Sequence, residues 1–466
     1  NLLELPPTPL NPLTPLRTPS FSRTFIMNSK LTVLFLPLLI SCTTAADSPF
    51  DHLQRDIVES GGLQWERLAF TEGIVGPAFA SVADFNQDGR PDIALSLFGK
   101  VDGFQIPNGE ILLLEQGDSW DDWYSSPILS RSQDRKWPNG GEAVDVDNDG
   151  DLDMLVGGGF LTCQLFPWTA PCGSVFWLEQ TESSWELHDI VAPGSDLFFH
   201  HPVWMDVNGD ERPDIVVVGE SFQTPFGSQY GAEVMAYLAT EEPGIFSEEP
   251  LLIGEGLGSL PQAYDMDGDG DLDLASAEYF YYGGASYAWL ENPGSSDTLW
   301  TRHVLNDTAG PAIQFKMVPD AFGDGVARGI GTNHTNTEGA SPDPESSRVA
   351  VYSPPVDPRD PWEETIIDED YISVPTQGAA APGIFGTGDI DGDGDLDLLV
   401  SGDGDPVVKW YEQTTPGTFV AHILEEDLPQ AGVTLVVDLD QDGRTEMLVS
   451  GYDHNALLIY RQVGDP

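Results

Sequence analysis

One nine-residue pattern recurs along the chain: DFNQDGRPD from Asp84, DVDNDGDLD from Asp145, DVNGDERPD from Asp206, DMDGDGDLD from Asp265, DIDGDGDLD from Asp389 and DLDQDGRTE from Asp438. Each copy crowds carboxylates or amides at alternate positions, and two unit charges about 4 Å apart repel by roughly 1 kcal/mol in water and several times that near a protein surface. The crowding is costly unless a cation sits among the oxygens, and the copy at Asp389 brings none of its own. The step from Asp265 to Asp389 is double the others. Near its middle DAFGDGVAR, from Asp320, is a worn copy with Phe322 and Arg328 where the others carry oxygen ligands. Copies at steps of about 50 to 70 residues imply a repeat architecture of seven units.

Every unit has the same surroundings. A short apolar segment such as TLVVD precedes the loop and another such as DIVVVG, DLLVSG or EMLVSG follows it. These segments are β-branched and Gly-bounded, so they read as a hairpin. A third segment has the form ILLLEQ, SVFWLEQ, SYAWLEN or VVKWYEQ, and a fourth the form WYSSPIL, WELHDIV, WTRHVL or FVAHIL. Four strands per unit make a propeller blade. The seventh unit ends after its third strand, while WERLAF, Trp65–Phe70, carries the fourth-strand signature ahead of the first unit. The expected fold is therefore all-β: a seven-bladed β-propeller over residues 63–463, its ring closed by an N-terminal strand that completes the last blade and removes an open sheet edge. A linear array of small domains leaves the orphan strand and the short last unit without an explanation.

These loops and their flanking strands resemble the FG-GAP or VCBS repeat family, the calcium-binding blades also found in the head of integrin alpha chains. The resemblance spans nearly all of residues 63–463 and rests on the pattern D-x-[DN]-x-D-G-x-x-[DE]. The chain departs from it at Glu211, where the turn glycine is missing, and throughout the loop at Asp320.

Spacing supports calcium. The ion takes six to eight oxygens at about 2.3 to 2.6 Å, and acidic or amide residues at positions 1, 3 and 5 with Gly at 6 wrap one ion, position 7 offering its carbonyl. In an EF-hand the last carboxylate stands at position 12. Here it stands at position 9, where a strand begins, so each loop is a hairpin tip. The expected ligands are Asp84, Asn86, Asp88, the Arg90 carbonyl and Asp92; Asp145, Asp147, Asp149, the Asp151 carbonyl and Asp153; and Asp206, Asn208, Asp210, the Arg212 carbonyl and Asp214. The later sets are Asp265, Asp267, Asp269, the Asp271 carbonyl and Asp273; Asp389, Asp391, Asp393, the Asp395 carbonyl and Asp397; and Asp438, Asp440, Asp442, the Arg444 carbonyl and Glu446. Up to six calcium ions are expected, in a structural role, because one site per blade staples hairpins rather than building one reactive centre. Thiol-free oxygen sets select hard cations, and magnesium demands a tighter octahedron. Against this stand solvated Asp–Gly turns and a dockerin- or calmodulin-like helical protein; the apolar runs after the loops lack a helical period.

The first residues read as targeting rather than fold. Residues 1–26 are a Pro-rich leader or over-extended reading frame; 27–46 form a secretory signal, with Lys30 before the apolar run Leu31–Ile40; 47–62 are expected as a linker. LISC places Cys42 as the lipidated residue of a bacterial lipobox, the alternative being cleavage after Ala46. The protein is thus expected as an exported lipoprotein at the outer membrane or cell surface, or else periplasmic or secreted, touching membrane only through that anchor. Cys163 and Cys172 are expected as a disulfide. A net charge of -58 excludes nucleic acid as a partner.

Function is expected on the opposite face, where the connections from strand two to three carry Phe160, Phe166, Trp168, Phe222, Phe226, Tyr230, Phe280, Tyr281 and Tyr282. Such an aromatic surface suits sugar rings or a protein hot spot. His200, His201, His334 and His454 could share that face, whereas His188, His303 and His422 recur inside the fourth-strand signature and read as structural. No nucleophile elbow, metalloprotease helix or phosphate loop is present. The sequence points to a monomeric recognition or adhesion module for a glycan or protein, the alternative being a polysaccharide-active lyase or hydrolase.

Overall fold

The apolar segments flanking each acidic loop pair as antiparallel strands, and each sheet grows outward by one hairpin at a time. The computed structural model describes residues 48–49, 53–101, 105–159, 172–221, 231–279, 285–295, 299–334, 347–374 and 380–464, all within one compact unit, residues 46–466. From the axis outward, blade 1 is Pro77–Ala83, Asp92–Leu97, Glu110–Gln116 and Trp123–Leu129; blade 2 is Pro138–Val144, Asp153–Gly158, Gly173–Gln180 and Trp185–Ser195. Blade 3 is Val203–Met205, Asp214–Ser221, Gly231–Tyr237 and Leu251–Glu255, with Phe198–Phe199 also on its second strand. Blade 4 is Gln262–Tyr264, Asp273–Ala277, Tyr287–Glu291 and Thr301–Asn306; blade 5 is Ala312–Val318, Arg328–Asn333, Val349–Ser353 and Glu363–Asp368. Blade 6 is Phe385–Gly388, Asp397–Val400, Val408–Thr415 and Thr418–Glu425.

Blade 7 combines the two ends of the propeller. Ala431–Val437, Glu446–Gly451 and Ala456–Gln462 are completed by Leu63–Phe70, in register from Trp65 opposite Gln462 to Phe70 opposite Leu457. Residues 47–62 are not simply a linker. Gln54–Ser60 adds a fifth strand to this blade, paired with Leu63–Phe70 across the turn Gly61–Gly62, whose left-handed φ values of +64° and +77° only glycine adopts freely. Ser48–Pro49 pairs with the outer strand of blade 1. Among the described residues the one helical element is a single 3-10 turn, Arg131–Gln133.

Burial follows position in the blade. Second strands such as Asp153–Gly158 and Glu446–Gly451 are buried along their whole length, because blades pack against both their faces. Outer strands such as Thr418–Glu425 are largely exposed. The buried apolar side chains divide into clusters that each join two neighbouring blades, including one between blades 7 and 1 that packs Leu68, Phe70 and Leu448 on Ile93 and Leu114. A core at every blade junction is what a closed ring requires.

Candidate functional site

The acidic loops share one backbone path. Position 4 is left-handed in all of them, from Gln87 at +57° to Gly392 at +82°, and so is position 6. Glycine serves position 6 except in blade 3, where Glu211 holds φ at +66° and accepts the strain usual for a side chain there. This path turns backbone N–H groups onto the side chains. Asp84 accepts from Asp88 N at 3.0 Å and Gly89 N at 2.9 Å; Asn86 Oδ1 accepts from Asp88 N at 3.0 Å, and Asp88 Oδ1 from Arg90 N at 2.9 Å. The blade 6 loop repeats the scheme: Asp389 accepts from Gly394 N, Asp391 from Asp393 N and Asp393 from Asp395 N, at 2.9 to 3.1 Å. Oxygens of Asp145, Asp147 and Asp153, of Asp265, Asp267 and Asp269, of Asp389, Asp391 and Asp397, and of Asp438, Asp440 and Glu446 converge within 4.8 Å of one another.

Position 9 has a second task. Asp92, Asp153, Asp214, Asp273, Asp397 and Glu446 are buried. One oxygen of each accepts from the N–H of position 2, as Asp397 does from Ile390 N at 2.8 Å. In each of the five aspartates the other oxygen accepts from an N–H at the end of the third strand, as from Gln413 N at 2.8 Å. The carboxylate thus ties the loop to the blade's interior. Burial pushes Asp92, Asp153, Asp273 and Asp397 up to about 7, Asp214 to about 6 and Glu446 to about 8, against the pull of the N–H donors. A divalent ion among these oxygens reverses that logic and holds the carboxyls ionised. An all-oxygen donor set, convergent and held by backbone N–H groups, fits calcium.

The worn loop in blade 5 supplies its own cation. Arg328, at position 9, donates to both oxygens of Asp324 at 2.8 and 2.7 Å, and its guanidinium lies 4.2 Å from the centre of the Phe322 ring. The hydrogen bonds from Arg328 hold Asp324 down at about 2. The double substitution F322D/R328D replaces that cation with two oxygen donors, and it is expected to raise bound calcium by one ion per chain in metal analysis of the dialysed protein. Arginines also meet other loops: Arg90 pairs with Asp88 and Arg212 with Asp210, while Arg359, from blade 5, donates to Asp267 at 2.5 Å and to Glu291. Arg444 instead donates to Gly464 O at 2.6 Å. Loops also touch round the ring, Gln87 Nε2 donating to Gly150 O at 2.9 Å.

The histidines divide as their strands suggest. His188, His303 and His422 each lie opposite a tryptophan on the third strand, with ring centroids 4.4 to 4.7 Å apart, and each meets a glutamate, Glu179, Glu291 or Glu412, at 2.6 to 2.8 Å. This is a cross-strand packing unit. His200 is buried between Asn139 and Glu220, and His334 Nδ1 meets Pro382 O at 2.9 Å. His454 is exposed. The nine aromatic candidates, Cys42 and Cys163 lie outside the described residues; Cys172 is disulfide-bonded.

A cavity of about 360 Å³ lies on the propeller axis, lined by the inner strands, or the residues leading into them, of all seven blades. Of the described histidines, His201 is the one that lines it, with Glu142 and Lys316. Neither of the latter stood out in the sequence, though each is a charged residue inside an otherwise apolar or glycine-rich inner strand. Burial lowers His201 to about 4, with the Lys316 charge adding to the effect. Burial also lowers Lys316, and it pushes Glu142 up to about 7 although Trp204 N donates to its Oε2 at 2.9 Å. The Glu142 carboxyl therefore titrates above its ordinary 4.5, so its ionisation subtracts folded stability as pH rises from that value through about 7. His201 and Lys316 line the same cavity. Glu142→Gln keeps an acceptor for Trp204, and it is expected to leave the melting temperature unchanged at pH 4 and raise it at pH 8.

Residues 389–449, which run from the loop of blade 6 into the second strand of blade 7, match the FG-GAP-like repeat family. No curated protein matches the sequence. Similar solved structures include a leech intramolecular trans-sialidase complexed with 2,7-anhydro-Neu5Ac, 10% identical over 85% of this chain and 69% of that chain at a TM-score of 0.37. A thermostable family-43 glycoside hydrolase is 10% identical over 85% of this chain and 96% of its own, at 0.33. A glucose dehydrogenase is 10% identical over 71% and 96%, at 0.38.

Proposed function

We propose that this seven-bladed propeller, which carries an FG-GAP-like repeat, is an exported, calcium-stapled recognition module acting at the cell surface, with a glycan as its ligand. The observation that carries the proposal is the set of hairpin loops whose carboxylates converge within 4.8 Å on backbone donors, while the one loop of divergent sequence fills its place with Arg328. Calcium, when bound, neutralises the loops and fixes each first strand to its second. A ring so fixed holds its surface in one conformation, which lowers the ordering cost of binding. Export rests on the signal-like stretch at residues 27–46, and anchoring on Cys42.

A glycan array probed in calcium and in EDTA tests the proposal: calcium-dependent retention of a defined glycan class is expected. Retention of none, together with capture of a protein partner by the same surface, overturns the choice of ligand. The alternative, a polysaccharide-active enzyme, is favoured by one observation, the convergence of Glu142, His201 and Lys316 in one axial cavity. Release of reducing ends or unsaturated products from a polysaccharide panel decides for it.

A further inference from the structure

Lys316 differs from every other described lysine and arginine. The others donate to, or lie within ion-pair reach of, a carboxylate or carbonyl oxygen: Lys409 meets Asp368, Lys136 meets Asn108, Lys100 meets Asp453 O and Arg302 meets Glu278. Lys316 Nζ has no hydrogen bond or ion pair among the described residues, in a protein of net charge -58 that has carboxylates to spare. It lines the axial cavity from the inner strand of blade 5, its side chain half-buried. Among the described residues no ion pair within 4.0 Å joins it to Glu142, one oxygen of which is engaged by Trp204 N.

Glu142 lines the same cavity, and the oxygen that Trp204 N does not engage, Oε1, is an acceptor there. Gln314 lines the cavity with its Oε1 already accepting from Phe385 N at 2.6 Å, which leaves its amide N–H groups as donors. The aromatic residues Phe79 and Trp204, both half-buried, line the cavity as well.

We propose that the axial cavity binds a small hydroxylated carboxylic acid of the sugar-acid class, its carboxylate on Lys316 Nζ and its hydroxyls on Gln314 and Glu142. One cation matches one carboxylate; a phosphate dianion would leave a charge uncompensated. The volume suits an organic molecule of sugar size, and the aromatic walls suit its C–H faces. An anion beside Lys316 also relieves the cost of burying that ammonium alone, and Glu142 Oε1 can accept from a hydroxyl. The ligand is either a free sugar acid or the uronic-acid end of a glycan, and this inference rests on the recognition role proposed above.

Calorimetric titration of the full calcium-loaded chain tests it with glucuronate, glucose, acetate and an oligouronide. Glucuronate is expected to bind, with glucose and acetate each at least about tenfold weaker, a difference of about 1.4 kcal/mol. Lys316→Met is expected to lose at least about tenfold in glucuronate affinity, with a melting temperature equal to or above the parent's because it removes an unpaired, half-buried charge. Tighter binding of the oligouronide assigns the site to a chain end, and equal binding assigns it to the free acid. Equal binding of glucose and glucuronate, no binding at all, or unchanged affinity in Lys316→Met overturns the proposal. If the glycan array is positive and Lys316→Met retains the same glycans, the recognition role stands and the cavity is not its site.

Discussion

Chelating divalent cations is expected to lower the melting temperature of the folded protein by about 15 to 30 °C, and adding calcium back is expected to restore it. A ligand that binds only the native state stabilises it by about 2.7 kcal/mol at a hundredfold excess over its dissociation constant, so six loops filled to that degree contribute about 16 kcal/mol. One kcal/mol shifts the melting temperature by about 2 to 4 °C in domains of about 150 to 250 residues, and by less in a longer chain. The loops explain why the effect should be collective. Gln87 reaches from the loop of blade 1 to Gly150 in that of blade 2, and Gln441 reaches from the loop of blade 7 to Gly89. Thr445, at position 8 of the loop of blade 7, donates to Asp389 O in that of blade 6. Loosening one hairpin therefore disturbs its neighbours, and blade 5, whose charge is met by Arg328, should be the last to respond. Scanning calorimetry in calcium, magnesium and EDTA makes the measurement; superimposable melts in all three would exclude a structural role for the ion.

The blades were legible because the units repeat two independent signals, the acidic turn and the short apolar third strand, so a worn copy such as that at Asp320 could still be counted from its neighbours. Closure was legible because WERLAF carries a fourth-strand signature in a place where no blade precedes it. Gln54–Ser60 was not, since its residues are mostly polar and exposed and carry no strand-like apolar run. The turn signal Gly61–Gly62 was present, and it marks the hairpin once the strand after it is recognised. The cavity was hidden for another reason. Glu142, His201, Lys316 and Thr434 lie on four different blades, and only ring closure brings them to one axis. Position 9 of the loops likewise shows its ligand-like spacing in sequence but not the third-strand N–H groups it accepts from, because those come from residues about 16 to 27 positions further on.

Deleting every residue before Thr71 is expected to abolish the monomeric native state rather than merely destabilise it. The truncation removes Leu63–Phe70, so Ala456–Gln462 becomes an edge strand with unpaired N–H and C=O groups along its length. Such an edge is a template for pairing with a second chain. The same cut takes Trp65, Leu68 and Phe70, all fully buried, out of the cores at both sides of blade 7. Burial of a large apolar side chain is worth about 1.5 to 3 kcal/mol, so these three account for a loss comparable with the whole stability of a typical domain. Polar links go with them: Trp65 Nε1 donates to Ser60 O at 3.3 Å, Trp410 Nε1 of blade 6 donates to Ser60 Oγ at 2.9 Å, and Arg67 joins Asp56 to Glu425. The graded form of the test is Trp65→Ala, which opens a cavity beside the edge-on Trp410 ring and should cost about 3 to 5 kcal/mol while leaving the strand pairing in place. The truncated chain is expected to elute as aggregate in size-exclusion chromatography, and a synthetic peptide spanning residues 53–72 supplied during refolding is expected to recover monomer. A truncated chain that stays monomeric and melts cooperatively at the parent's temperature would show that the ring does not depend on its N-terminal strand.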